Sequence, residues 1–205
     1  NYFKKKFGKD LSENTNLSNY NWFNLGGNAE YFYKAKNSNQ LIEFLKEAQK
    51  KELSTTIIGA GSNILIRDGG IKGAVIELGS NFSYTKLIDK NTIEAGAATL
   101  DRNLANFAKE NSLGNFEFLS CIPGSVGGAI IMNSGCYNND ISKILLSIKA
   151  IDKKKLSEVE IKREDIKFIY RGCNLDHNLI ILSARFRGIL SNREFIDDKQ
   201  RKLIQ

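Results

Sequence analysis

The sequence predicts an α+β protein built from two α/β subdomains, and three observations carry that expectation. A helix-period run lies between two strand-like runs near the start. Short β-branched runs recur through the rest of the chain. Two glycine-rich segments, 59–70 and 119–137, interrupt these elements at separate places.

In order, residues 1–16 are polar and basic and read as a loose N-terminal arm or a short helix. Asn19 to Ala29 places Trp22 and Phe23 just before Gly26-Gly27. This is either a core-packing entry into the first strand or a backbone approach to a flat cofactor. Tyr31–Tyr33 is a strand. Ser38 is the expected N-cap of a helix over 39–52, where Leu41, Ile42, Leu45 and Ala48 fall at helical spacing. The β-branched run at 54–59 follows, so β-α-β implies a parallel pair with a crossover.

Gly73–Leu78 is another strand, and 82–98 holds two more around a turn at 89–91. A helix over 101–111 buries Leu104, Phe107 and Ala108, with Gly114 as its expected C-cap. Ile144–Asp152 and Ser157–Ile161 form a hairpin with its tip at Lys153-Lys154-Lys155. A short polar helical turn over 162–168 and a buried strand at 179–186 come next. The expected division is 1–78 and 79–190 for the subdomains, with 191–205 beginning a linker helix.

The bulk numbers exclude several functions. A net charge of +7 comes from lysines spread along the chain, so an anionic small molecule is expected and nucleic acid is not. Three cysteines without tight spacing form neither a disulfide framework nor a zinc site, which fits a cytoplasmic protein. No apolar run reaches the ~20 residues a membrane span needs. His177 is the only histidine and reads as a turn residue, so a Ser-His-Asp triad or multi-histidine metal site is disfavoured.

The segment 119–137 carries the only proline, Pro123, with Gly124, Gly127, Gly128 and Gly135, and no charge. Glycines let a ligand approach the main chain, and Pro123 sets the geometry of the donors after it. Gly127-Gly128-Ala129 leads into Ile130-Ile131-Met132, the start of a short buried helix. The turn at 59–70, G-A-G-S-N-I-L-I-R-D-G-G, leaves a buried strand directly. It is either a nest of N–H groups for phosphate or an ordinary turn. It matches neither a Rossmann fingerprint, since Ile64 holds the third glycine position, nor a phosphate-binding G-x-x-x-x-G-K loop. Arg171, after Phe168-Ile169-Tyr170, reads as half buried, and either an ion pair with Glu164 or Asp165 or an anionic ligand satisfies it. Two glycine elements without a metal or triad fit a nucleotide cofactor held by backbone amides.

W-F-N-L-G-G at 22–27, I-G-A-G-S-N-I-L-I at 58–66, E-F-L-S-C-I-P-G-S-V-G-G-A-I-I-M-N-S-G-C-Y at 117–137 and F-I-Y-R at 168–171 resemble the UDP-N-acetylenolpyruvoylglucosamine reductases (MurB). The match is ordered and spans nearly the whole chain. It implies an FAD-binding fold of the vanillyl-alcohol oxidase / p-cresol methylhydroxylase type. It also implies hydride transfer from NADPH through FAD to a UDP-sugar enolpyruvyl ether, by a monomer in peptidoglycan synthesis. By that resemblance Gly59, Ala60, Gly61, Ser62, Asn63 and Ile64 hold the FAD pyrophosphate region. Pro123, Gly124, Ser125, Gly127, Gly128 and Ala129 line it from the other subdomain, with Asn133, Gly135 and Tyr137 near the nucleotide.

By the same resemblance Tyr170 and Arg171 bind substrate and Arg171 stabilises the enolate-like intermediate, which favours the anionic ligand over the ion pair. The family continues into a third domain that supplies a proton-donating serine in G-S-x-F and a late glutamate. No such motif follows Arg171 here, so these 205 residues are expected to bind FAD and to reduce the enolpyruvyl substrate poorly or not at all. Two other functions are weighed. An oxidase of the same fold often binds flavin through a histidine, which 54–70 lacks. A non-catalytic nucleotide-binding module is the other.

Overall fold

The computed structural model describes residues 2–204. Helix α1 (Tyr2–Phe7) and strand β1 (Leu11–Asn16) begin the chain, followed by β2 (Asn28–Ala35), α2 (Ser38–Lys50), β3 (Thr55–Ile58) and β4 (Ile71–Leu78). The four strands make one sheet in the order β1-β2-β4-β3. β4 runs parallel to both β2 and β3 and separates them, so the expected parallel pair does not hydrogen-bond directly. Of the two forms expected for 1–16 the short helix is found, as α1, and the segment is tied down. β1 pairs antiparallel with β2, and Phe3 and Leu11 are buried. In β1 only Leu11 is buried, so no alternation marks it in the sequence.

Asn37, not Ser38, caps α2: its Oδ1 accepts from the Gln40 amide at 2.9 Å. Both residue types cap well, and Asn37 is the one whose backbone is extended at the boundary. α2 buries Leu41, Phe44, Leu45 and Ala48. The Phe44 ring stacks on Tyr33 at 4.1 Å, and burial pushes the Tyr33 hydroxyl up to about 12.

Glu47, on the rim of α2, accepts from Tyr2 Oη at 2.5 Å and pairs with Lys50 at 3.0 Å and Lys6 at 3.1 Å. The tyrosine hydrogen bond, then Lys50 and Lys6, hold its carboxyl down at about 2. A depressed acid stabilises the fold above its unfolded value and loses that contribution as pH falls through the folded one. The melting-temperature gap between wild type and Glu47→Gln is therefore expected to be full at pH 7 and to close between about pH 4.5 and pH 2. A gap of constant size across that range contradicts it.

The second half begins with β5 (Thr85–Asp89), β6 (Thr92–Gly96), α3 (Asp101–Glu110), β7 (Leu113–Gly114) and α4 (Val126–Ile131). It continues with β8 (Gly135–Cys136), β9 (Asn139–Asp140), β10 (Leu145–Asp152), β11 (Ser157–Lys162), β12 (Phe168–Ile169), β13 (Gly172–Cys173), β14 (Leu179–Arg187), β15 (Ile189–Leu190) and α5 (Arg193–Ile204). Five strands form an antiparallel sheet in the order β11-β10-β14-β6-β5. Gly114 does not cap α3. The helix closes at Asn111, Ser112 takes the left-handed turn at φ +58°, and Gly114 pairs with Ile189 of β15.

β14 is buried on both faces. Ile180 and Leu182 join the core under α2, while Ile181, Ala184 and Phe186 join the core under α3 and α4. The change of parity falls at Leu182, where the register with β10 shifts between Lys149 and Ala150. One extra residue re-aims every side chain after it. Because Ile151, Ile180 and Leu182 pack with Phe44 and Ile76, the core under α2 joins the two sheets.

α5 docks on α3 and the 117–121 turn. Lys109 Nζ meets Asp197 at 2.6 Å, Lys199 meets the buried Glu117 at 3.3 Å, and Gln200 donates to the Ala105 carbonyl at 3.2 Å. Among the described residues no helix is long and apolar enough to cross a membrane.

Candidate functional site

The turn 59–63 leaves the C-terminal end of β3. Gly61 has φ +70°, and a Cβ there would lie 2.1 Å from the Tyr20 carbonyl oxygen. The Gly61 carbonyl accepts from the Trp22 amide at 3.0 Å, so the 20–27 loop braces this turn closely enough to require glycine. Farther along, the Gly27 amide donates to the Arg67 carbonyl at 3.0 Å. Trp22 and Phe23 are more than half exposed, so this loop is not a core-packing entry.

The second glycine segment enters α4 along an irregular pairing with residues 97–101. The Asp101 amide donates to the Gly124 carbonyl at 3.1 Å, Val126 to Thr99 at 2.9 Å, and Gly127 to Ala97 at 2.9 Å. A Cβ on Gly127 would lie 3.2 Å from the Ala97 Cβ, a tight contact that favours glycine there. A Cβ on Gly128 would meet only Ser125 Oγ, at 3.8 Å, and Gly128 is exposed.

The two glycine elements face each other across the two halves. Ser62 Oγ donates to the Pro123 carbonyl at 2.8 Å, and a Cβ on Gly59 would lie 2.6 Å from Ser125 Oγ. Among the described residues, the amides of Ala60, Gly61, Ser62 and Asn63 on one side donate to no protein acceptor, nor do those of Gly124, Ser125 and Gly128 on the other. Amides left unpaired where two loops converge are donors waiting for an acceptor from outside the chain. That is what a diphosphate needs, and in this respect the residues present fit a dinucleotide. Ile64 packs partly buried in the small core of Leu17, Phe32 and Ile66, and Ala129 is buried in the core under α4. Neither side chain reaches the cleft.

The remaining expected residues lie at the far end of α4, which at 1.5 Å per residue is about 9 Å long. Asn133 ties that end to the β12–β13 hairpin: its Nδ2 donates to the Ile169 carbonyl at 3.2 Å and its Oδ1 accepts from the Ser142 amide at 3.1 Å. Cys173 Sγ donates to the Ile131 carbonyl at 3.5 Å. Arg171 is the turn residue of that hairpin, at φ +61°, with its guanidinium 5.6 Å from the Tyr170 ring. It is exposed rather than half buried, and among the described residues it pairs with neither Glu164 nor Asp165. The turn places it at the tip of β12–β13, and Glu164 lies beside Lys162 instead, at 3.9 Å.

Gly135 is required by its own hairpin, where a Cβ would lie 2.2 Å from the Asn139 carbonyl. Tyr137 is exposed and its hydroxyl donates to the Leu203 carbonyl of α5 at 3.2 Å. Cys121 donates to the same carbonyl at 3.1 Å, and burial pushes the Cys121 and Cys136 thiols up. His177 lies in an exposed turn before β14. Two open surface depressions of about 600 and 690 Å³ lie elsewhere, and neither includes a residue of 59–64 or 122–137. Convergent unpaired donors, not volume, mark the site.

Sequence reasoning missed Asp101. Its side chain is 1% exposed, both carboxyl oxygens lack a hydrogen-bond partner, and burial pushes it up to about 7. In the sequence it is only the first residue of an amphipathic helix, where an acid is ordinary.

Residues 29–155 match the family model described as FAD binding domain. The chain is similar to the UDP-N-acetylenolpyruvoylglucosamine reductase of Pelagibacter ubique, with 42% identity over 95% of this chain and 65% of that protein. The enzyme of the same name from Rickettsia canadensis is 44% identical over 90% of this chain and 60% of its own length. The chain thus spans 60–65% of the length of these relatives. Among solved structures, UDP-N-acetylenolpyruvylglucosamine reductase (MurB) from Thermus caldophilus superposes with a TM-score of 0.80 at 24% identity, covering 94% of this chain and 66% of that one. An alkyldihydroxyacetonephosphate synthase superposes with a TM-score of 0.58 at 12% identity, covering 80% of this chain and 34% of that one, so the fold is shared well beyond the reductases.

Proposed function

The chain belongs to the FAD-binding domain family, and from that premise we propose that its two halves, 1–78 and 79–190, grip FAD as part of a UDP-N-acetylenolpyruvoylglucosamine reductase. The observation that carries this is the facing pair of unpaired amide sets, at 60–63 and at 124, 125 and 128, tied by the Ser62–Pro123 hydrogen bond. Bound FAD would supply hydride transfer from NADPH to the enolpyruvyl double bond of a UDP-sugar.

The residues of this chain do the rest. Backbone N–H groups of 60–63 and of 124, 125 and 128 would hydrogen-bond the diphosphate and stabilise its charge. Gly128 and Gly124 keep side chains out of the way of the cofactor. Asn133 fixes the hairpin that holds Arg171 at the other end of α4. The Arg171 guanidinium is always charged, exposed and free of an acidic partner among the described residues, so it is available to a substrate carboxylate. There it would bind the enolpyruvyl carboxylate and stabilise negative charge as it develops on that group.

Titrating the purified chain with FAD is expected to give saturable quenching of flavin fluorescence. Anaerobic NADPH is expected to bleach the bound flavin, and in the whole protein the enolpyruvyl substrate restores the colour. Arg171→Ala should leave FAD affinity unchanged and slow that recolouring by about 10²–10³-fold. Absence of FAD binding removes the proposal. Binding without bleaching favours a non-catalytic nucleotide-binding module.

A further inference from the structure

Asp101 is a buried acid that nothing in the chain explains. Its carboxyl is 1% exposed, and neither oxygen has a hydrogen-bond partner. It lies directly beneath the second glycine loop. A Cβ on Gly124 would be 3.0 Å from Asp101 Oδ2 and 3.6 Å from Ser62 Oγ, so the acid and the serine that ties the two loops approach one point. The Asp101 amide also donates to the Gly124 carbonyl, which holds the side chain against that loop.

No cation offsets this carboxyl. The stretches against it, 97–100, 122–125 and 59–63, contain no ionisable side chain. On its own helix Arg102 follows it and is exposed, and Lys109 is engaged by Asp197 of α5. The 117–121 turn, which packs beside α3, carries Glu117, paired with Lys199, and Cys121, whose thiol is pushed up by burial. A negative charge at Asp101 would therefore meet no opposite side-chain charge, only the N-terminal end of α3, and would act on whatever binds the loop above it through a medium that screens poorly.

We propose that Asp101 is a positioning residue of the cofactor cradle: its carboxyl is neutral when the diphosphate of FAD lies on the amides of 60–63 and 124–125, so binding takes up a proton and weakens as pH rises. This rests on the flavin reading above. Burial already holds the free protein's carboxyl at about 7, so the uncharged and charged forms exchange within the range where the protein can be handled. The diphosphate diester of FAD carries no group that titrates there.

The test measures the FAD dissociation constant by fluorescence quenching at pH 6.5 and pH 8.5 in wild type and Asp101→Asn, with proton uptake on binding recorded in weak buffer at pH 7.5. Wild type is expected to bind about tenfold more weakly at the higher pH and to take up protons. Asp101→Asn should bind equally at both and take up none. A flat wild-type profile, or an unchanged slope or proton uptake in Asp101→Asn, overturns the proposal. If Asp101→Asn does not fold, the wild-type slope and proton uptake still decide it. Failure of wild type to bind FAD at either pH is a failure of the flavin reading instead.

Discussion

Gly61→Ala is expected to reduce FAD affinity on the order of 100-fold, the scale of loss seen when a functional group is misplaced by about 1 Å. Two independent penalties act at that residue. Its φ of +70° costs an L-residue about 1–2 kcal/mol. The added Cβ would also lie 2.1 Å from the Tyr20 carbonyl, and backbone cannot swing aside as a side chain tip can. The turn and the 20–22 strand of loop must separate, which breaks the hydrogen bond from the Trp22 amide and re-aims the free amides of 60–63. A fall of about 5–10 °C in melting temperature should accompany the loss of binding. Gly69→Ala is the control, because nothing lies within 4 Å of its Cβ position and its φ is not left-handed. It should stay within about 0.5 kcal/mol of wild type and bind FAD normally. If Gly61→Ala binds FAD as wild type does, the turn is not part of the cradle.

Phe44→Ala is expected to cost about 3–5 kcal/mol of folding stability, read as a shift in the denaturant midpoint. Phe44 has no exposed surface and stacks on Tyr33 at 4.1 Å with 7° between the rings. Phe7 meets it edge-on at 5.1 Å and Phe3 at 5.9 Å. Truncation leaves a hole lined by rings that are held by α1, β2 and α2 and have little room to collapse. The core it sits in also holds Ile151, Ile180 and Leu182, so the loss reaches the second sheet and loosens the join between the halves. A cost below about 1 kcal/mol would mean that this core repacks freely and does not fix the two sheets.

Elements with strong periodicity were legible from sequence. α2 and α3 carry their apolar residues at helical spacing, and the β10–β11 hairpin turns at its lysine tip as expected. β1 was not, because an edge strand with only Leu11 buried has no alternating signal. Helix ends were misread by one to three residues at Asn37 and Asn111, where several neighbouring residues could each serve as caps. The two glycine elements were visible as sequence, but their glycines differ in purpose. Gly61 and Gly135 are required by neighbouring backbone and Gly127 fits tightly against Ala97, while Gly128 alone among these faces open space. Exposure of Arg171 could not be read either, since it depends on a left-handed turn residue that its apolar neighbours conceal.

By itself the sequence determined the long helices, most strands and the two glycine-rich loops, because period, turn chemistry and glycine content are local properties. Only the tertiary structure decided that 59–63 and 123–128 face each other, joined through Ser62 and Pro123. Only it decided that Asp101 is stranded beneath them without a partner. Whether an acid is solvated or buried depends on residues brought to it from elsewhere in the chain, and no local pattern encodes that.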